Sequence, residues 1–211
     1  MLVESDTADD DAIVGAITTA RERSDRFVVN LRDGIDDLRL PLLKRLSLVP
    51  ISANPWMPGM ALHPIPPKEN AASNDGFEIR QVTDDAGVED HIRTAAAGFE
   101  LPAEIIRTFM STASAADPDV AVYVGYADGA PVTTGMGFRT GRTIGIYNIA
   151  TVAAARGRGY GAAMTRRVAD DGADKGCDVA ILQASDMGLS IYERLGYRTV
   201  VEYRGYIDPA G

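Results

Sequence analysis

The 211-residue chain has few of the residues that build disulfides or metal sites. Cys177 is its single cysteine, so no intramolecular disulfide can form, and only two histidines are present, too few for a zinc-type cluster by spacing. Cys177 stands just before a predicted strand and is interpreted as a small buried thiol. The sequence therefore predicts neither a disulfide framework nor a metal site.

Long apolar runs and positive charge are also scarce. No apolar run approaches the ~18 residues that span a bilayer. The N-terminus, MLVESDTADDDAIV, is acidic and lacks the apolar region of a signal peptide. A net charge of -9 argues against sequence-independent nucleic-acid binding, which depends on clustered Lys and Arg. We therefore expect a cytoplasmic protein that binds neither nucleic acid nor a membrane.

The overall composition is that of an ordinary globular protein, with 45% hydrophobic and 24% charged residues. Residues 65–76 contain two prolines followed by small and polar residues, a pattern typical of a linker. The predicted organisation is a small N-terminal α/β half-domain over residues 1–64, the linker over 65–76, and a main domain over 77–211.

Hydrophobic periodicity predicts alternating strands and helices in the main domain. The predicted strands are 77–82, 120–126, 131–138, 143–152, 179–183 and 198–207, and the predicted helices are 84–97, 102–114, 159–174 and 189–195. Asp128-Gly129 is a typical hairpin turn between the second and third strands. This order favours an α/β (α+β) fold, with a mixed, mostly antiparallel sheet flanked by helices.

The N-terminal segment resembles part of the main domain. Residues 16–51 follow the same helix, strand and helix order as residues 163–201, and LLKRLSL (42–48) matches IYERLGY (191–197) in character. A partial internal repeat is one interpretation, and chance similarity between two amphipathic units is the other. In the N-terminal copy Leu43 stands where the later copy has Tyr192, and no glycine-rich loop precedes the helix.

The clearest chemical signal is the segment RGRGYG, residues 156–161, between a predicted strand and a predicted helix. The first turn of a helix presents unpaired N–H groups and a positive dipole end, which bind anions. Glycines let the backbone approach a phosphate, and Arg156 and Arg158 add positive charge. Gly161 is followed by two alanines, so the segment is not a P-loop, and its glycine spacing is not that of a dinucleotide fingerprint.

The Arg-x-x-Gly-x-Gly spacing resembles that of the GNAT superfamily of acetyl-coenzyme A-dependent N-acetyltransferases. A second segment, SIYERLGYR (190–198), resembles the late helix of that family, with Tyr192 at its tyrosine position. The resemblance covers residues 77 to about 207, and the N-terminal segment looks like a partial copy. It implies a GNAT-like fold, acetyl-CoA as co-substrate, an amine acceptor and no metal. A homodimer is an open option, since the sequence does not determine the oligomeric state.

The resemblance also implies which residues bind the cofactor. The backbone of the fourth strand of the main domain, which splays from the fifth at a bulge, would pair with the pantetheine arm and polarise the thioester carbonyl. The glycine-rich loop would hold the pyrophosphate, and Ser185 stands where the family often has an asparagine. The implied cofactor-binding residues are Ile149, Ala150, Thr151, Arg156, Gly157, Arg158, Gly159, Tyr160, Gly161, Ala162 and Ser185.

The resemblance assigns to Tyr192 the protonation of the departing coenzyme A thiolate, and packing on the cofactor tail is the alternative role. Many relatives use a glutamate on the fourth or fifth strand as the base that deprotonates the amine. Neither predicted strand carries one here, so the base stays unassigned. Water chains, Glu100, Glu104 or Asp186 are the open options.

The acceptor is expected near residues 99–110 and near Arg139. Helical spacing of the apolar side chains in that stretch favours a core role for them; they are Phe99, Leu101, Ile105, Phe109 and Met110. Protein N-termini, lysine side chains, amino sugars and polyamines all stay open as acceptors. The alternative function is a non-catalytic acyl-CoA sensor, and a plain nucleotide-binding α/β domain is disfavoured by the glycine spacing.

Overall fold

The structure is a computed structural model that describes residues 9–23, 27–51, 56–68 and 76–209. Its helices are α1 (Asp10–Arg23), α2 (Leu40–Arg45), α3 (Asp85–Phe99), α4 (Ala103–Arg107), α5 (Thr112–Ala115), α6 (Tyr160–Asp174) and α7 (Asp186–Arg194). Its strands are β1 (Val28–Arg32), β2 (Val49–Pro50), β3 (Trp56–Leu62), β4 (Phe77–Gln81), β5 (Val120–Ala127), β6 (Ala130–Thr140), β7 (Thr143–Thr151), β8 (Val179–Gln183) and β9 (Arg198–Ile207).

The chain divides into two compact units. The first comprises Met1–Met60, Gln183–Leu189 and Thr199–Gly211, and the second comprises Ala61–Leu182 and Ser190–Arg198. Most of the predicted linker, residues 69–75, lies outside the described residues. The boundary at residues 65–76 therefore stays a prediction.

In the first unit, two strands pair with β9. β1 runs antiparallel to it from Val28 opposite Ile207 to Arg32 opposite Tyr203, and β2 also pairs with it. Helices α1 and α2 supply the apolar side chains that cover this pairing. The buried cluster consists of Ile13, Ile17, Val29, Leu31, Leu42, Leu43, Leu48 and Tyr206.

The end of α2 has the same hydrogen-bond pattern as the end of α7. The N–H groups of Leu46, Ser47 and Leu48 donate to the carbonyls of Leu42, Lys44 and Leu43, and those of Leu195, Gly196 and Tyr197 donate to Ile191, Glu193 and Tyr192. Both ends are Schellman motifs, with the left-handed position held by Ser47 (φ 60°) in one and Gly196 (φ 95°) in the other. This correspondence agrees with the match between residues 42–48 and 191–197, while the longer repeat stays a prediction.

In the second unit the strand order is β8-β7-β6-β5-β4. Strands β4 to β7 form an antiparallel meander, and β8 pairs in parallel with β7. Asp128 and Gly129 have φ of 50° and 79°, as a tight hairpin turn with two left-handed residues requires, and they join β5 to β6. The predicted mixed, mostly antiparallel sheet flanked by helices is confirmed.

The predicted helix over residues 102–114 is instead two short helices, α4 and α5. The break lies at Ser111, whose side chain accepts from the N–H of Ser114 while the Ser114 hydroxyl accepts from the N–H of Ser111. This capping box starts a new helix, because it satisfies N–H groups that a continuous helix would have bonded to preceding carbonyls.

The predicted core role of the apolar side chains in this stretch is correct only for Met110, which is buried. The other four are exposed, by 41% for Phe99, 44% for Leu101, 37% for Ile105 and 46% for Phe109. The prediction was wrong for these because α4 is a single short turn, and Ile106 rather than Ile105 lies on its buried side.

The expectation that Cys177 is a small buried thiol is confirmed. Tyr197 is also buried. Within the described ranges, none of the helices combines the length and the apolar character that crossing a membrane requires.

Candidate active site

The pairing of β7 with β8 stops partway along both strands. It extends only from Thr143 opposite Val179 to Gly145 opposite Ile181, although β7 continues to Thr151. On its other side β7 pairs with β6 through a bulge, in which one residue, Gly135, faces two residues of β7. This is the splay and bulge that the family resemblance implied for the fourth and fifth strands of the main domain. Among the described residues, the end of β7 therefore has no strand partner on the β8 side.

Asn148 is the residue that shapes the bulge. Its φ of 53° is left-handed, a conformation that asparagine tolerates better than most residues. The hydroxyl of Thr134 donates to the carbonyl of Asn148 at 2.8 Å, and the hydroxyl of Thr133 donates to the carbonyl of Ala150 at 2.7 Å. These bonds link side chains of β6 to carbonyls of β7 at the bulge. Sequence patterns did not identify Asn148, because a bulge changes strand register without changing composition.

The glycine-rich loop connects β7 to α6. Gly157 and Gly159 have φ of 78° and 82°, and a Cβ atom built on either would meet no heavy atom within 4 Å. The first hydrogen bond of α6 runs from the N–H of Ala163 to the carbonyl of Gly159. The N–H groups of residues 159–162 thus have no backbone acceptor among the described residues. An open surface with free N–H groups at a helix start is suited to bind a phosphate.

The side chain of Arg156 bonds within the protein. Its Nη2 donates to the carbonyl of Gly98 at 2.9 Å and its Nε to the carbonyl of Thr151 at 3.2 Å. The guanidinium therefore joins the end of α3 to the end of β7. Arg158, by contrast, is exposed and has no ion-pair partner in the described part of the chain. Of the two arginines expected to add charge at the loop, Arg158 is the one with its guanidinium free.

The first residue of α6, Tyr160, stacks on Phe77 at the start of β4. Their ring centroids are 4.3 Å apart and the rings are inclined by 20°. Phe77 in turn packs over Gly125 of β5, where an added Cβ would come within 3.0 Å of its ring. The Tyr160 side chain thus anchors the start of α6 on the sheet. Gly161 lies next to the end of β7, since its Cβ would be 3.5 Å from the Thr151 hydroxyl.

Tyr192 of α7 is buried. Burial raises the pKa of its hydroxyl, and a hydrogen bond with Thr165 partly opposes this. The Thr165 hydroxyl donates to the carbonyl of Gly161 at 2.9 Å, so it connects Tyr192 to the first turn of α6. The ring of Tyr197 meets that of Tyr192 edge-on at 6.1 Å. The structure therefore brings the predicted tyrosine and the predicted loop together.

Ser185 immediately precedes α7 and belongs to the first unit. Its carbonyl accepts the N–H groups of Gly188 and Leu189, which starts the helix. Neither β7 nor β8 contains an aspartate or a glutamate, so the structure adds no strand carboxylate as a base.

Two buried polar groups were missed by sequence reasoning. His91 of α3 is fully buried, its Nδ1 lies 3.1 Å from the carbonyl of Tyr123, and burial lowers its pKa to about 4. The Tyr123 hydroxyl donates to Asp171 at 2.7 Å, and burial raises the pKa of Tyr123 above its ordinary value. The amphipathic pattern of α3, which puts His91 on the apolar face of the helix, is the signal that could have identified it.

Comparison with known proteins agrees with this geometry. Residues 118–199 match the family model of the acetyltransferase (GNAT) domain. Among curated proteins, no significant sequence match is found.

Solved structures share the fold. A GCN5-related N-acetyltransferase from Kribbella flavida is 21% identical, with a TM-score of 0.66 over 96% of this chain and 77% of that one. One from Sphaerobacter thermophilus is 16% identical, with a TM-score of 0.63 over 93% and 66%. A tandem GNAT protein from the clavulanic acid biosynthesis pathway is 13% identical, with a TM-score of 0.64 over 95% and 69%. The segment that matches the family model contains the splayed strand, the glycine-rich loop and Tyr192, so residues 118–199 are similar to an acetyltransferase (GNAT) domain.

Proposed function

We propose that the protein is an N-acetyltransferase that moves an acetyl group from acetyl-CoA to a primary amine by direct attack in a ternary complex. The observation that carries this proposal is the start of α6, where Gly157 and Gly159 leave open space beside unpaired N–H groups. A pyrophosphate fits such a surface. Arg158 and the N–H groups of residues 157–162 would hold it, and Ser185 would contact the pantetheine arm on the evidence of the resemblance alone.

Acetyl-CoA supplies an activated thioester. The backbone of Ile149, Ala150 and Thr151, at the splayed end of β7, would pair with the pantetheine arm and donate to the carbonyl oxygen as it gains negative charge. The amine nitrogen forms the new C–N bond, the C–S bond breaks, and one amine proton is lost to solvent. The Tyr192 hydroxyl, whose pKa burial raises from an ordinary value of about 10, is protonated at neutral pH. It would give its proton to the sulfur and take one back from solvent.

Calorimetric titration of acetyl-CoA into the wild type and into Gly159→Glu tests the binding site. We expect clear wild-type binding that the variant weakens roughly a hundredfold or more, because two unit charges about 4 Å apart repel by about 4 kcal/mol near a protein surface. Gly129→Glu is the matched control. Gly129 has a similar φ (79° against 82°) and equally open surroundings, but it lies in the β5–β6 turn.

If both glutamate variants lose affinity equally, the loss comes from backbone strain at a left-handed glycine and not from repulsion of the pyrophosphate at the glycine-rich loop. An absence of binding to the wild type at millimolar ligand would refute the proposed function.

A non-catalytic acyl-CoA sensor is the second candidate, and the lack of a strand carboxylate on β7 and β8 favours it. Turnover of Tyr192→Phe separates the two functions. An acetyltransferase loses roughly 10²–10⁴-fold in kcat while its affinity for acetyl-CoA is retained. A sensor releases no coenzyme A thiol with any amine, in either the wild type or the variant.

A further inference from the structure

Four large apolar side chains are exposed within residues 99–110, which begin at the last residue of α3. Phe99, Leu101, Ile105 and Phe109 are each between 37% and 46% exposed. The same stretch buries Ile106 and Met110, which pack in the core beneath α3 and β5. The core contact of this segment is therefore made without the four exposed side chains. A solvated face is normally polar, and clustered exposed apolar residues mark binding sites.

This apolar surface, Phe99, Leu101, Ile105 and Phe109, begins beside the splayed end of β7. Gly98 directly precedes it, and a Cβ atom at Gly98 would be 2.8 Å from the Cβ of Ala150 and 3.0 Å from the N of Thr151. Arg156 holds the carbonyl of Gly98 at 2.9 Å. The first residue of the surface, Phe99, therefore directly follows a residue that contacts the strand proposed to carry the thioester.

A carboxylate lies in the same place. Glu100 has a left-handed backbone (φ 59°) at the end of α3, a position where glycine is the usual residue. Its side chain is 72% exposed and lies 3.4 Å from Arg156. Glu104 is also exposed. The basic residue of this stretch, Arg107, is bound to Glu89 at 2.8 Å. Glu100 thus pairs with Arg156 and Arg107 with Glu89, whereas Glu104 has no ion-pair partner in the described part of the chain, so the unpaired charge beside the apolar surface is negative.

We propose that the acceptor is a small primary amine that carries an aromatic or aliphatic group, bound with that group on the apolar surface and its ammonium beside Glu100. The inference rests on the proposed acetyltransferase function and names its substrate class. Apolar surface with a few placed polar groups is the usual construction of a small-molecule site. An ammonium beside a carboxylate complements the charge, whereas a polyamine or an amino sugar would leave the apolar side chains unused.

The test is a comparison of kcat/KM for four amines with acetyl-CoA as donor: 2-phenylethylamine, hexylamine, ethanolamine and spermidine. We expect the first two to exceed the last two by about tenfold or more, the usual discrimination of an apolar contact. Leu101→Asn should reduce the advantage of 2-phenylethylamine over ethanolamine by a similar factor. The matched control is Leu38→Asn, since Leu38 is 91% exposed and belongs to the first unit.

Glu100→Gln should raise KM for the amines while the Kd for acetyl-CoA stays the same. Higher kcat/KM for spermidine or ethanolamine, or an equal loss for every amine in Leu101→Asn, would overturn the inference and leave the acetyltransferase proposal intact. If no amine is acetylated, titration of 2-phenylethylamine into the coenzyme A-loaded protein decides the question. Binding that Leu101→Asn weakens supports the site, and no binding refutes it.

Discussion

The close contact between Gly98 and β7 leads to a quantitative prediction for Gly98→Ala. The new methyl group would lie 2.8 Å from the Cβ of Ala150 and 3.0 Å from the N of Thr151. A real contact of this kind requires the end of α3 or the end of β7 to move, because the obstacles are a backbone atom and a Cβ rather than the tip of a flexible side chain. The substitution therefore tests whether this contact sets the position of the splayed strand.

Two opposing effects determine the stability of this variant. Alanine stabilises a helix relative to glycine by up to about 1 kcal/mol. Overpacking costs about 1–3 kcal/mol. We expect a net loss of about 1 kcal/mol, which for a chain of this size lowers Tm by about 2–4 °C.

The matched control is Gly15→Ala, because Gly15 lies within α1 and its Cβ would meet nothing within 4 Å. This variant keeps the gain in helix propensity and lacks the overpacking, so we expect it to be more stable than the wild type by about 0.5–1 kcal/mol. Urea unfolding of both variants measures the difference. Titration with acetyl-CoA should show weaker binding to Gly98→Ala only, because the displaced residues are those proposed to pair with the pantetheine arm.

Equal free energies of unfolding for the two alanine variants would show that α3 and β7 accommodate the added methyl group without loss of stability. A lower free energy of unfolding for Gly98→Ala, with unchanged affinity for acetyl-CoA, would support the overpacking at Gly98. It would refute the role of Ala150 and Thr151 in binding.

Three further predictions follow from other contacts. Phe77→Leu removes the stacking on Tyr160, worth about 1 kcal/mol, and should raise the Kd for acetyl-CoA by loosening the start of α6; an unchanged Kd would contradict this positioning role. Ser47→Gly should raise Tm and Gly196→Ser should lower it, since each residue is left-handed at a helix end; a shift of the same sign in both would contradict the match between them. Because the pKa of His91 is about 4 in the folded protein and 6.5 ordinarily, the unfolded chain takes up the proton first, and lowering the pH from about 6.5 to 4 should cost up to about 3 kcal/mol. His91→Gln should lack this part of the pH dependence in urea unfolding, and identical profiles would refute it.

Much of the fold was predictable because its signals are local. Alternation of apolar residues identified the meander, and Asp128-Gly129 identified its hairpin. The single helix predicted over residues 102–114 was wrong because the local signal for its break is weak. A capping box of two serines at Ser111 and Ser114 lacks the acidic third residue that usually marks a helix start, so the break was not recognised.

The site was predictable only as far as its backbone features. A glycine motif predicts an open turn wherever it occurs, and both Gly157 and Gly159 have the left-handed φ that the turn needs. The side chains of Arg156 and Tyr160 could not be placed from the sequence, because their partners, Gly98 and Phe77, are 58 and 83 positions away. Long-range contacts of this kind depend on sheet order, which periodicity does not specify.

The bonding of Arg156 changes where the charge that binds a pyrophosphate would come from. The guanidinium of Arg156 bonds to the carbonyls of Gly98 and Thr151 and pairs with Glu100. The groups of the loop without such partners in the described part of the chain are the N–H groups at the start of α6 and the guanidinium of Arg158. Arg156 instead connects the strand proposed to hold the thioester with the helix end that begins the apolar surface. A side chain that joins these two elements can set the distance between thioester and amine, which is the quantity on which direct attack depends. On the proposed function, the arginine of the motif would contribute through the geometry of both substrates as well as through its charge.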